Sequence, residues 1–160
     1  MQKIRIRGLI ALFIIIAVLI IDYFSKQYAL TLNEIIIVNS YITFQTINNY
    51  GIAFSLFNDT DKSYLWILTS IIFLILIYIS IELYNNLSHD YLYIISLSLI
   101  LGGGWGNLFD RFDNDSVTDF IIIHYNDIYF PAIFNLADLS ISLGAILIII
   151  HFFKTKNEHN

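Results

Sequence analysis

Four stretches of this chain stay apolar for about as long as a bilayer is thick. A helix needs about 20 such residues, with about 17–25 observed, to cross a hydrocarbon core. The stretches cover residues 8–28, 64–81, 91–109 and 136–153. The second and third carry no charge, the first is interrupted late by Asp22 and Lys26, and the fourth holds Asp138 in its first turn. With 58% hydrophobic and 13% charged residues and a mean hydropathy of +0.71, the composition is too apolar for a soluble domain. The expected fold is all-α and integral to a membrane, with four transmembrane helices in a single domain over residues 1–160.

The basic start and first apolar run imitate a secretory signal, yet Asp22-Tyr23-Phe24-Ser25-Lys26 stands where a small-residue cleavage site belongs. The run therefore reads as a retained first span. Lys3, Arg5 and Arg7 precede it, and Lys154 and Lys156 follow the last span. An even number of spans puts both termini on one side, and these cations assign that side to the cytoplasm. Only Lys26, Lys62 and Arg111 would then face outward. Between the first two spans, "IIIVNSYITFQTI" is rich in β-branched and aromatic residues, and Tyr41 to Gln45 alternate polar with apolar. A second such run, "FIIIHYNDIYF", covers residues 120–130. Both predict strands, and hence a small extracytoplasmic β-sheet capping the helices at the bilayer surface.

Several chemistries are excluded or disfavoured. A formal charge of −5 without any basic stripe argues against nucleic acid. No cysteine is present, which removes disulfides, thiolate metal sites and a thiol nucleophile. His89, His124, His151 and His159 lack metal-ligand spacing, so no metal is expected. Asp113-Asn114-Asp115 reads as a solvated turn rather than a calcium loop, because Val117 and Phe120 stand where ligands should follow.

The polar residues that remain share one depth, the outer interface. Asp22 and Lys26 lie four apart on one face of the first span, which by itself fits a simple ion pair stabilising a helix end. Asn49 precedes the second span, while Gly103, Asn107, Asp110 and Arg111 close the third. Asn135, after Pro131, reads as the N-cap of the fourth, with Asp138 at its third position complementing the helix dipole. Asp119 is flanked by Val117 and by Phe120 to Ile123, surroundings that disfavour its charge. Two carboxylates in environments that push their proton affinities apart have the makings of a general acid and a general base. If they meet in space, they can share one proton and activate a water between them.

These residues resemble the lipoprotein signal peptidase (type II signal peptidase) family. "DYFSK" is similar to its Asp-x-x-x-Lys, and "NYGIAFS" to its Asn-x-Gly-x-Ala-Phe-Ser. "GGGWGNLFDR" resembles Gly-Gly-Ala-x-Gly-Asn-x-x-Asp-Arg, "VTDF" resembles Val-Val-Asp-Phe, and "FPAIFNLAD" resembles Phe-Pro-x-Phe-Asn-x-Ala-Asp. Gly104, Trp105 and Thr118 depart from the pattern, and Ile133 lengthens the loop before Phe134. None of these is ionisable. The resemblance implies an aspartic endopeptidase of the bacterial cytoplasmic membrane that needs no cofactor. Its substrates would be diacylglyceryl-modified prolipoproteins, met in the membrane lipid and cleaved just before the lipidated cysteine. It implies Asp119 and Asp138 as the catalytic pair. Asp22, Lys26, Asn49, Gly103, Asn107, Arg111, Asn135 and Ala137 match positions that shape the site or hold substrate.

The rival readings are a small proton-coupled transporter and an assembly subunit. A transporter would set its ionisable groups near the midplane on broken helices, often in inverted repeats. Here they cluster at one surface and no repeat is visible. An assembly subunit has no need of two carboxylates in one polar cluster.

Overall fold

The computed structural model describes residues 2–32, 34–51, 62–126 and 128–158. All four apolar runs fold as helices, and each outlasts its apolar stretch: α1 (Gln2–Leu30), α2 (Lys62–Asn85), α3 (Tyr91–Asn114) and α4 (Leu136–Glu158). All four are long and apolar enough to span a membrane. The extra turns are polar, because a helix that has left the hydrocarbon needs no apolar side chains and stops only at a cap. α3 shows both signals. Asp90 caps its start by accepting from the Tyr93 N–H at 3.0 Å. Asp115 ends it in the left-handed region (φ 56°), its N–H returning to the Arg111 carbonyl. The solvated turn expected at residues 113–115 is therefore mostly helix: Asp113 and Asn114 belong to the last turn and only Asp115 breaks it.

Four strands form one antiparallel sheet in the order β1 (Ile36–Ile37), β2 (Ile42–Asn49), β3 (Val117–Tyr125), β4 (Ile128–Phe134). The run over 120–130 is thus two strands and not one. Tyr125 pairs with Ile128, and Asn126, at φ 51°, begins the tight connection, a conformation asparagine tolerates. Ile133 does not lengthen a loop, as expected from sequence; it pairs with Ile122 inside β4. Pro131 is accommodated because β4 is an edge strand and because pairing is irregular there, with one residue of β3, Ile123, opposite three of β4, Phe130, Pro131 and Ala132. A second irregularity lies beside Asp119: Phe44 faces Ile121 and Ile47 faces Asp119. One extra residue on β2 makes this a bulge, a device that re-aims neighbouring side chains.

α3 is the central helix and packs against α1, α2 and α4. Its glycines make that possible, since successive helical positions point about 100° apart. A Cβ on Gly102 would lie 2.7 Å from Val18 of α1. One on Gly103 would strike the Ala137 carbonyl of α4, and one on Gly104 would strike the end of Leu76 on α2. Three adjacent glycines thus admit three helices. Small residues allow such close approach where apolar lipid supplies little drive for helices to associate. The outer faces of α1, α2 and α4 are apolar and exposed, Phe13, Tyr78 and Phe152 among them, as lipid contact requires. At the end that holds both termini, Arg7 donates to the Ser88 carbonyl at 2.6 Å, and His151 lies 3.2 Å from Asp90. The sheet occupies the other end.

The glycine contacts differ in what must yield. Gly104→Ala meets only the end of the Leu76 side chain and no backbone, and should leave thermal unfolding in detergent nearly unchanged. Gly103→Ala presses on backbone and should destabilise by about 1–3 kcal/mol, the usual range for overpacking. Equal melting of the two variants would show that α3 and α4 are not held at this spacing.

Candidate active site

The start of α4 is buried, so its free N–H groups need partners. Asn135, 0% exposed, accepts from the Asp138 N–H at 2.8 Å, and Asp138 Oδ2 accepts from the Asn135 N–H at 3.1 Å. That is a capping box with aspartate in the place of glutamate. The N–H of Ala137, between them, donates to Asp22 Oδ1 of α1 at 2.9 Å.

From this cap the site extends through amides whose orientation is set by their neighbours. Asn135 gives its oxygen to the helix cap, so its Nδ2 donates to Asp119 Oδ1 at 2.7 Å. Asn107 gives its oxygen to the Lys26 ammonium at 2.9 Å, which can only donate, so its Nδ2 donates to Asp138 Oδ1 at 2.8 Å. The Asn135 amide also reaches Asn107 Oδ1 at 3.1 Å. Asn135 thus serves Asp119 and Asn107 serves Asp138, and the two amides are bonded to each other. On the sheet side, Asn49 donates to Asp119 Oδ2 at 2.8 Å. Arg111 donates to the carbonyls of Asn107 at 3.2 Å and Gly51 at 3.1 Å, holding the end of β2 against α3.

Lys26 is buried, 2.6 Å from Asp22 and 3.0 Å from Asp110. The i,i+4 pair expected from sequence exists, but it also ties α1 to α3 and, through Ala137, to α4. Asp110 accepts in addition from the Thr118 N–H at 3.1 Å, anchoring the start of β3.

Asp119 and Asp138 line a single cavity of about 220 Å³ with Asn49, Asn107 and Arg111. Its wall includes Phe134, Ile141 and Ser142. Burial, and next the charge of Asp138, push the Asp119 carboxyl from its ordinary 3.8 up to about 7. The Asn49 and Asn135 hydrogen bonds and the Lys26 charge pull the other way. Such a group exchanges protons near neutral pH. Among the described residues, no group of three or more His, Asp or Glu is placed to hold a metal ion.

Of the ten residues singled out from sequence, five line the cavity: Asn49, Asn107, Arg111, Asp119 and Asp138. Asn135 lies directly behind the aspartates. Asp22 and Lys26 stand one layer back and brace Asn107 and the α4 cap. Gly103 and Ala137 pack against each other where α3 meets α4. The stretch from Ile52 to Ser55 of "NYGIAFS" lies outside the described residues. Sequence reading left out Asp110 as a site residue, although it sits three positions after Asn107. It also left out Ser142, four after Asp138. Helical spacing was the available signal for both.

The sequence matches the family model described as Signal peptidase (SPase) II over residues 14–154. The lipoprotein signal peptidase of Clostridium tetani is 38% identical over 145 residues, 88% of this chain and 90% of that protein. The lipoprotein signal peptidase of Pseudoalteromonas atlantica is 33% identical over 159 residues, covering 98% and 96%. A solved structure described as a bacterial membrane enzyme superposes with a TM-score of 0.73 at 26% identity, over 94% of this chain and 91% of that one.

Asn135 has separable roles. Asn135→Ala removes both the cap and the donor to Asp119, whereas Asn135→Ser keeps a capping oxygen. Thermal unfolding should fall by at least the roughly 1 kcal/mol of a lost cap in the alanine variant and recover partly in the serine one. Carbon-13 titration of the Asp119 carboxyl should show raised proton affinity in both. Unchanged titration would mean that the amide does not contact Asp119 in solution.

Proposed function

The chain belongs to the signal peptidase II family, bacterial membrane enzymes that remove signal peptides from lipoproteins, and on that premise we propose that Asp119 and Asp138 form its catalytic pair, cleaving diacylglyceryl-modified prolipoproteins just before the lipidated cysteine. The observation that carries the aspartic mechanism is the cavity. Both carboxylates open onto it, one bonded to Asn135 and the other to Asn107. The lipid-bearing substrate class rests on the family and on the cavity's place at the end of four apolar helices, where a lipidated cysteine is met without leaving the interface.

The pair shares one proton and titrates as a unit. Its proton rests on Asp119, and Asp138, at the start of α4 where the dipole favours an anion, is the base. Asp138 takes a proton from water as the water oxygen bonds to the scissile carbonyl carbon. Asp119 gives its proton to the carbonyl oxygen. The resulting gem-diol leaves the two aspartates with exchanged protonation. In the second step the C–N bond breaks, Asp138 protonates the departing cysteine nitrogen, and a diol hydroxyl returns a proton to Asp119. Both groups end as they began. Asn107 and Asn135 hold the carboxylates in place throughout.

The clustering of Lys3, Arg5, Arg7, Lys154 and Lys156 at one end supports cytoplasmic termini and a site at the outer face. Reporter fusions after Lys156 and within residues 82–90 should read cytoplasmic, and a fusion near Asp113 external. A cytoplasmic signal near Asp113 would put the cavity on the wrong side for exported substrates.

Purified protein should release the signal peptide from a diacylated prolipoprotein, detected by mass spectrometry. Asp119→Asn and Asp138→Asn, close in shape but unable to exchange the proton, should each lose at least about 100-fold in rate while still inserting and folding. Near-normal turnover in either removes that residue from the chemistry. Activity should fall as pH rises through about 7, where Asp119 loses its proton. The Asn49 hydrogen bond favours the charged form, so Asn49→Leu should move that alkaline limb to higher pH.

A further inference from the structure

Among the described side chains, Ser142 is the odd serine of the spanning helices. Ser25, Ser70, Ser80, Ser96 and Ser98 each donate to a backbone carbonyl one turn back, and Ser140 donates to the Leu99 carbonyl of α3. These bonds satisfy the hydroxyls inside the protein. Ser142 makes none. It is exposed, follows Asp138 by four residues and so shares its helix face, and lines the same cavity. Its neighbours Leu139, Leu143 and Ile146 are apolar and exposed. The cavity therefore carries a hydroxyl without a partner on its membrane side.

A peptide that reaches two carboxylates must lie extended around the bond to be cut. A stretch of signal peptide that leaves its helix within the membrane has backbone N–H and C=O groups that lipid cannot satisfy. Four residues of α4 rise about 6 Å, the length of about two residues of extended chain. We propose that Ser142 binds the backbone of the signal peptide about two residues before the cleaved bond, supplying a hydrogen bond where the substrate unwinds. Side-chain identity at that point then matters little to Ser142, which suits an enzyme that processes signal peptides of many sequences. The inference rests on the peptidase reading and names a contact within that same site.

The test uses the intact enzyme in detergent or vesicles and two diacylated prolipoprotein peptides. One has normal peptide bonds, and in the other an ester replaces the amide two residues before the cut. The ester lacks the N–H and has a weaker carbonyl acceptor, so it disables either form of the contact. Ser142→Ala should lower kcat/KM on the normal peptide by about two- to tenfold, as expected for one neutral hydrogen bond. It should change cleavage of the ester peptide little. Ser142→Thr, which keeps the hydroxyl, should restore most of the rate. Thermal unfolding of the variants controls for folding, and alanine suits a helix. Unchanged cleavage of the normal peptide by Ser142→Ala, or an equal loss on both peptides, overturns the inference alone. Absence of cleavage by the unmodified enzyme overturns the peptidase reading and this contact with it.

Discussion

The start of α4 is the point on which the rest of this structure turns. A helix that begins at the membrane interface, buried among other helices, cannot leave its first N–H groups to water. Here those groups are taken by Asn135, three residues from Asp138, and by Asp22, 115 residues from Ala137. The second partner requires α1 to come close, and α1 comes close because Gly102 and Gly106 of α3 leave room for it. A Cβ on Gly106 would lie 2.6 Å from Asp22 Oδ2 itself. The glycine-rich run in α3 and the acidic residue in α1 are thus two halves of one solution to the same capping problem.

Six ionisable groups follow from that arrangement, and their burial limits which of them hold charge. Lys26 lies between Asp22 and Asp110 with almost no solvent. Buried ion pairs contribute little net stability, but removing one partner strands the other. What this pairing does provide is direction. The ammonium can only donate, so it fixes which end of Asn107 faces Asp138, and Asn107 with Asn135 then fixes the two carboxylates. Two cations, Lys26 and Arg111, stand among four carboxylates, and burial with the neighbouring Asp138 pushes Asp119 up to about 7.

Much of this was legible in the sequence, for physical reasons specific to each feature. The spans were visible because a bilayer demands apolar length, and the gathering of the polar residues towards one end of the helices was visible because lipid leaves few places for them. The cap at Asn135 and Asp138 is a local pattern, readable from two residues three apart. The strand content of both loops came from β-branched runs, but the division of residues 120–130 into a hairpin did not. It turns on Asn126 adopting a positive φ, and the flanking isoleucines and tyrosines mask so short a signal. The bulge beside Asp119 and the irregular pairing at Pro131 depend on which residues lie opposite. No local pattern states that.

The roles of Asp22 and Lys26 show where local reading stops. Four residues apart on a helix, they satisfy each other on paper, and a helix-stabilising pair is a complete explanation. In three dimensions each has capacity left over. Lys26 has three N–H donors and uses them on Asp22, Asp110 and Asn107. Asp22 has a second oxygen and gives it to Ala137. A solvated pair would spend that capacity on water; a buried pair cannot, so each unmet donor or lone pair must be matched by another element of the fold. Burial turns a local pair into a tertiary junction. The same accounting singles out Ser142, whose hydroxyl faces the cavity with no protein partner in a helix where its fellow serine Ser140 is bonded.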